Sequence, residues 1–124
     1  MITYIYDPIN GVPVRDYDAE MTMIALVAEH AAFPDREITY RAATENTLHA
    51  LRELVCLNTV PLDAVQIQYE RPDSELGPAR LMTLKLYANG GIRPWPKGFA
   101  DTQEGFWSTL LRQAKYVQAR EEGG

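Results

Sequence analysis

Few residues in this chain have the type and spacing to do chemistry. Glu45 and His49 stand four apart on a predicted helix, so they share a face. Such a pair could pass a proton or supply half of a metal site. The same spacing also suits a charged pair facing water near a helix start. Asp16, Asp18 and Glu20 gather ahead of the first predicted helix. Three carboxylates there could hold a divalent cation, or simply complement the positive end of the helix. His30, beside Glu29, falls where an imidazole can interact with the last carbonyls of that helix. Cys56 is the one cysteine and lies at the C-terminal end of an amphipathic helix, where the dipole raises a thiol pKa. A structural role is expected for it.

Several common constellations are missing from the sequence. It holds no G-x-x-x-x-G-K-[ST] loop, no G-x-G-x-x-G fingerprint and no G-x-S-x-G elbow. Gly90-Gly91 leads into Pro94 rather than a helix, so it offers no helix N-terminus to an anion. His30, His49 and Cys56 lack the short spacings of a zinc site. Neither a metal nor a cofactor is expected. The terminal Gly123-Gly124 matches the end of ubiquitin-like modifiers, but a helix rather than a strand is predicted ahead of it.

The elements that must position these residues are readable in outline. A strand is predicted over Ile2–Tyr6, followed by the turn signals Asp7-Pro8 and Asn10-Gly11 and a return segment Val12–Arg15. A helix is predicted from Asp18, as N-cap, to Ala32, stopped by Pro34. Its stripe of Met21, Ile24, Ala25, Ala28 and Ala31 has helical spacing, widened by Met23, Leu26 and Val27. So broad an apolar face implies packing against a sheet or a partner. Ile38–Tyr40 reads as a short strand. A second helix begins near Thr44 or Glu45, carries Leu48, Leu51, Leu54 and Val55 inward with Arg52 and Glu53 toward water, and ends at Asn58.

Val65, Ile67 and Tyr69 alternate with polar residues, and Met82, Leu84 and Leu86 repeat the pattern. Together they predict a hairpin with a long polar loop. The Pro- and Gly-punctuated run Ile92–Phe99 is irregular, and Asp101 to Glu104 forms a capping-box start for a last helix. The expectation is one α/β domain (α+β being the alternative) over residues 1–119, with four to five strands in a mixed sheet, three helices and a frayed tail at 120–124. Its length of 124 residues and 46% hydrophobic content allow one core.

From Ile38 onward the order of segments resembles the C-terminal part of bacterial ATP-binding-cassette-type ATPases of the overcoming-lysogenization-defect group. Ile38-Thr39-Tyr40-Arg41 stands for their switch strand and Ala42-Ala43-Thr44-Glu45-Asn46 for the switch itself. Leu51-Arg52 corresponds to a helix pair, and Pro61-Leu62-Asp63-Ala64-Val65 with Tyr69-Glu70 to the following strand. Asn89-Gly90-Gly91-Ile92-Arg93-Pro94-Trp95-Pro96-Lys97-Gly98-Phe99 corresponds to the tail, of which Trp-Pro-x-Gly-Phe is the distinctive piece. The departure matters most. Where the family has a histidine that contacts the γ-phosphate, this chain has Ala43, which can neither donate a hydrogen bond nor orient water. The resemblance therefore implies an ATPase-like end that keeps packing elements without nucleotide chemistry. It also implies an association with phage defence or mobile elements, which is association by family.

The favoured expectation is a non-catalytic interaction or regulatory subunit that docks on an ATPase-like protein or on itself. Trp95, Phe99, Phe106, Trp107 and Tyr116 are its candidate contact residues, since aromatics concentrate in interface hot spots; filling the core is the competing role for such rings. A small hydrolase or nuclease would instead use Glu45 and His49 with Asp16 and Asp18. A nucleic-acid-binding accessory protein would use Arg93, Lys97, Arg112, Lys115 and Arg120, but a net charge of −5 opposes it. No apolar stretch is long enough for a membrane span, and the start lacks the pattern of a signal peptide. With a single cysteine, a cytoplasmic location is expected.

Overall fold

The computed structural model describes residues 1–75 and 77–100. Their elements run in the order β1 (Ile2–Tyr6), α1 (Asp16–Ala32), β2 (Ile38–Ala42), α2 (Asn46–Cys56), a 3₁₀ turn (Leu62–Ala64), β3 (Val65–Arg71), β4 (Arg80–Leu86) and β5 (Ile92–Arg93). Five strands form one mixed sheet in the order β2-β1-β3-β4-β5. β1 is central to a parallel trio, with Ile2 opposite both Ile38 and Val65, while β3–β4 and β4–β5 are antiparallel. The α/β class and the mixed sheet agree with the sequence-based expectation. The described residues hold two α-helices; the third, predicted from Asp101, lies outside them, as does the tail at 120–124.

The core follows from strand alternation. Ile2 and Tyr4 of β1, Val65, Ile67 and Tyr69 of β3, and Leu84 and Leu86 of β4 point to one side of the sheet. There they meet Met23 and Val27 of α1 and Leu48, Leu51, Leu54 and Val55 of α2 in a single cluster. The two helices also pack on each other. Tyr4 is fully buried, and its hydroxyl shares a 2.7 Å hydrogen bond with the Thr47 hydroxyl, which satisfies both polar groups inside the core. Burial pushes the Tyr4 phenol pKa up, because the phenolate would lose its hydration there.

Helix ends show how local chemistry sets the boundaries. α2 closes in a Schellman arrangement: Asn58 adopts a left-handed φ of 59°, its N–H donates to Val55 O at 3.0 Å, and Thr59 N–H donates to Leu54 O at 2.9 Å. α1 begins two residues ahead of the expected start, with Arg15 as N-cap and Asp16 and Asp18 in the first turn. The expected return of Val12–Arg15 as a hairpin is corrected by the structure. Val12 instead makes an isolated parallel bridge to Ala42, because the chain must cross to α1 and leaves time for a single β contact.

α1 divides its broad apolar face. Of the residues expected to pack against a sheet or a partner, Met23 and Val27 are buried and Leu26 is partly buried, while Met21, Ile24, Ala25, Ala28 and Ala31 are solvent-exposed. Ala19 and His30 complete the buried side of the helix. A helix with apolar residues on two sides can bury either one, and contact with α2 and the sheet selects the Met23/Val27 side.

Candidate functional site

Two loops converge at the C-terminal ends of the parallel strands. The first leaves β1 at Asp7, a carboxylate only 2% exposed. Asp7 Oδ1 accepts the N–H groups of Ile9 (3.3 Å) and Asn10 (2.9 Å), and Oδ2 accepts Arg41 Nη1 at 3.1 Å. Arg41 also lies 3.8 Å from Glu70. Asp7 thus shapes the Asp7–Gly11 turn through its Asx contacts, and its charge is met by Arg41. Gly11 lies where this turn touches the second loop, and a Cβ there would come 2.5 Å from Ala43 N and 2.6 Å from Asp7 O. Only glycine permits that approach.

The second loop joins β2 to α2 and clasps the first. Asn46 Nδ2 donates to Val14 O at 2.6 Å and to Asp16 Oδ1 at 2.9 Å, while the Thr44 hydroxyl donates to Asn46 Oδ1 at 2.7 Å. The clasp brings Asp16 to Asn46 at the start of α2. His49, one turn further on, turns inward instead. It is 6% exposed, which overturns its expected place on a water-facing charged surface.

Arg52 is corrected in the same way, being 2% exposed and the largest fully buried side chain among the described residues. Its Nε donates to Gly90 O at 2.6 Å, Nη1 donates to His49 Nδ1 at 3.1 Å, and its guanidinium lies 5.1 Å from the Trp95 ring centre. Gly90, at φ 83°, lets the 89–91 turn press its carbonyl onto this group. The arginine is buried because its charge finds a carbonyl, an imidazole and an indole face inside, a set of partners that α2 alone cannot supply.

This arrangement fixes the state of His49. With Arg52 donating to Nδ1, the imidazole is neutral with its proton on Nε2. Burial first, and the Arg52 charge second, lower its pKa from 6.5 to about 4. A proton shuttle near neutral pH wants a pKa near 7, so His49 is poorly tuned for that role.

Of the aromatic candidates, Phe99 is fully buried. Its ring centre lies 5.5 Å from Tyr6, 5.3 Å from Tyr69 and 4.9 Å from Trp95, so it plugs the strand ends. Trp95 is half-buried against it, with the Arg93–Pro94 peptide in the cis form just ahead. Phe106, Trp107 and Tyr116 lie outside the described residues, with the basic positions Arg112, Lys115 and Arg120. Arg93 and Lys97 are exposed. Cys56 is partly buried, and His30 is buried in the last turn of α1. Among the described residues, no three His, Cys, Asp or Glu side chains converge as a metal site. No helix of the described residues is long and apolar enough to cross a membrane.

The outward side of α1 is the other unusual surface. Tyr17 is 72% exposed, Met21 65% and Ile24 40%, and Ala28 continues the line at i, i+4, i+7 and i+11. Phe33, 50% exposed, extends it past the helix end with Arg36 stacked 4.2 Å over its ring. A cleft of about 550 Å³ lined by Pro13, Val14, Arg15, Asp18, Met21 and Thr22 flanks the N-terminal end of the stripe. No family model, curated protein or solved structure matches the chain. The reading of its function therefore rests on these surfaces.

Proposed function

We propose that this chain is a non-catalytic interaction subunit that binds other protein through the outward face of α1. The observation that carries this reading is the continuous exposed line Tyr17, Met21, Ile24 and Ala28, set opposite the core-facing Met23 and Val27. Scattered apolar residues on a surface need no explanation, but a contiguous patch of large ones is a feature of interaction sites. Tyr and Met are also enriched at interfaces, and a helix presents them at fixed spacing to a groove or a second helix. At the strand ends, by contrast, Arg52, His49 and Asp7 each meet partners that hold the fold, which supports a subunit rather than an enzyme.

The resemblance to an ATPase end makes a protein of that kind one occupant to test, and the phage-defence association belongs to this reading. We place its action in the cytoplasm, with Cys56 reduced. The test compares the full chain with Ile24→Glu. The substituted position is exposed, so denaturation midpoints should agree within about 0.5 kcal/mol. The variant should lose whatever association, with itself or with a host protein, the unaltered chain shows. Equal association by two equally folded proteins would overturn the reading.

A further inference from the structure

We infer that the free edge of β4 takes an extended acidic segment of a partner protein as an added strand. This goes beyond the α1 reading and uses another part of the molecule, the side of the sheet far from β2. The backbone supplies the first argument. Tyr87 donates its N–H to Gly91 O at 2.8 Å and accepts from Gly90 N at 2.9 Å, so its peptide groups face away from β3. Backbone direction alternates along a strand, so the peptide groups of Lys85, Thr83 and Leu81 face the same way. β5 reaches only Lys85 and Leu86, through Arg93 and Ile92. The chain then bends at Pro94 and carries Trp95 to Arg52 and Phe99. No described residue pairs with the outer side of Leu81 or Thr83. Their N–H and C=O groups stand in line, ready for one more strand.

The second argument is charge. The chain carries −5 overall, yet from Gly77 to Ala100 it has Arg80, Lys85, Arg93 and Lys97 and no carboxylate. Arg80, Lys85 and Arg93 are all exposed at this edge. Arg80 also stands directly opposite Arg71 in the β3–β4 ladder, an unfavourable like-charge pair. Among the described residues neither arginine forms an ion pair. Glu70 is drawn toward Arg41 at 3.8 Å, and Asp73 and Glu75 belong to the loop ahead of β4. Laying two β4 edges together would set basic strand against basic strand, so a second copy is disfavoured.

Side-chain alternation sets the pattern of the occupant. Arg80 and Met82 point to the helix side of the sheet, and Leu81, Thr83 and Lys85 to the other, where Arg93 lies opposite Lys85. A strand opposite Arg80 to Thr83 therefore carries a carboxylate against Arg80 and another diagonal to Lys85. Between them fall apolar residues, beside the partly buried Met82 and the 48% exposed Leu81.

Amide NMR of the full chain reads the contact. The probe is an acetylated, amidated peptide, Thr-Glu-Val-Val-Glu-Thr, whose symmetric pattern suits either strand direction. So short a strand should bind with a dissociation constant of order 0.1–1 mM at low salt. The amide protons of Leu81 and Thr83 should move downfield more than any others, and the counterpart Thr-Lys-Val-Val-Lys-Thr should leave them in place. Thr83→Pro deletes a donor that no ladder bond of the fold uses, and should abolish the shift at Leu81. Arg80→Glu combined with Lys85→Glu, both exposed, is the second variant and should weaken the acidic peptide at least tenfold. Ile24→Glu should bind the peptide as the unaltered chain does. Unmoved Leu81 and Thr83 amides at roughly 5 mM peptide would overturn the inference. Equal binding of the two peptides would also overturn it, as would loss of binding in Ile24→Glu. None of these results bears on protein association through α1, which is judged separately by the association of Ile24→Glu.

Discussion

His49 makes the stability of this protein depend on pH in a defined window. Its folded pKa of about 4 lies below the 6.5 of an unconstrained imidazole, because burial and the adjacent Arg52 both penalise the imidazolium. The unfolded chain therefore takes up a proton that the folded chain refuses. The stabilisation is complete above about pH 6.5, shrinks as the pH falls below that value, and is gone once the folded pKa near 4 is passed. Linkage puts the loss from this one group at about 2 kcal/mol between about pH 7.5 and pH 5, and at roughly 3 kcal/mol in full. Urea unfolding at these two pH values, on the parent and on His49→Gln, measures it. Carboxylates titrate in both proteins, so the difference between their pH responses isolates His49. Arg52→Met should shrink that difference without abolishing it, since burial is the larger cause. A His49→Gln variant that loses stability with acid as steeply as the parent would refute the reasoning.

Two other outcomes follow from the same contacts. Arg52→Met leaves the Gly90 carbonyl without its 2.6 Å donor and removes the cation from the Trp95 face, at a cost of about 2–4 kcal/mol in denaturant unfolding. A loss below about 0.5 kcal/mol would show that the site relaxes freely. Gly11→Ala drives a methyl into Ala43 N and Asp7 O, so the unfolding midpoint should fall by the equivalent of about 2–3 kcal/mol, while an exposed Ala25→Gly control costs only about 1 kcal/mol. Equal effects of the two substitutions would remove the argument for close loop packing.

Alternation in Val65–Tyr69 and Met82–Leu86, the apolar spacing of Leu48, Leu51, Leu54 and Val55, and the left-handed tolerance of Asn58 are local signals. They determined the elements, their order and the α/β class directly, because side-chain period and helix-end chemistry are properties of short segments. The candidate contact line of α1 was also legible as a stripe. What the spacing left open was its direction, since Met21/Ile24/Ala28 and Met23/Val27 are both apolar lines on one helix. Only packing against α2 and the sheet decided that the second is core and the first is surface. Arg52 and His49 show the same limit: their polarity predicted water, and a carbonyl from Gly90 and an indole from Trp95, both about forty residues onward, turned them inward. A residue's own type states what it needs in order to be buried. Whether a distant part of the chain arrives to supply it is set by the tertiary fold alone.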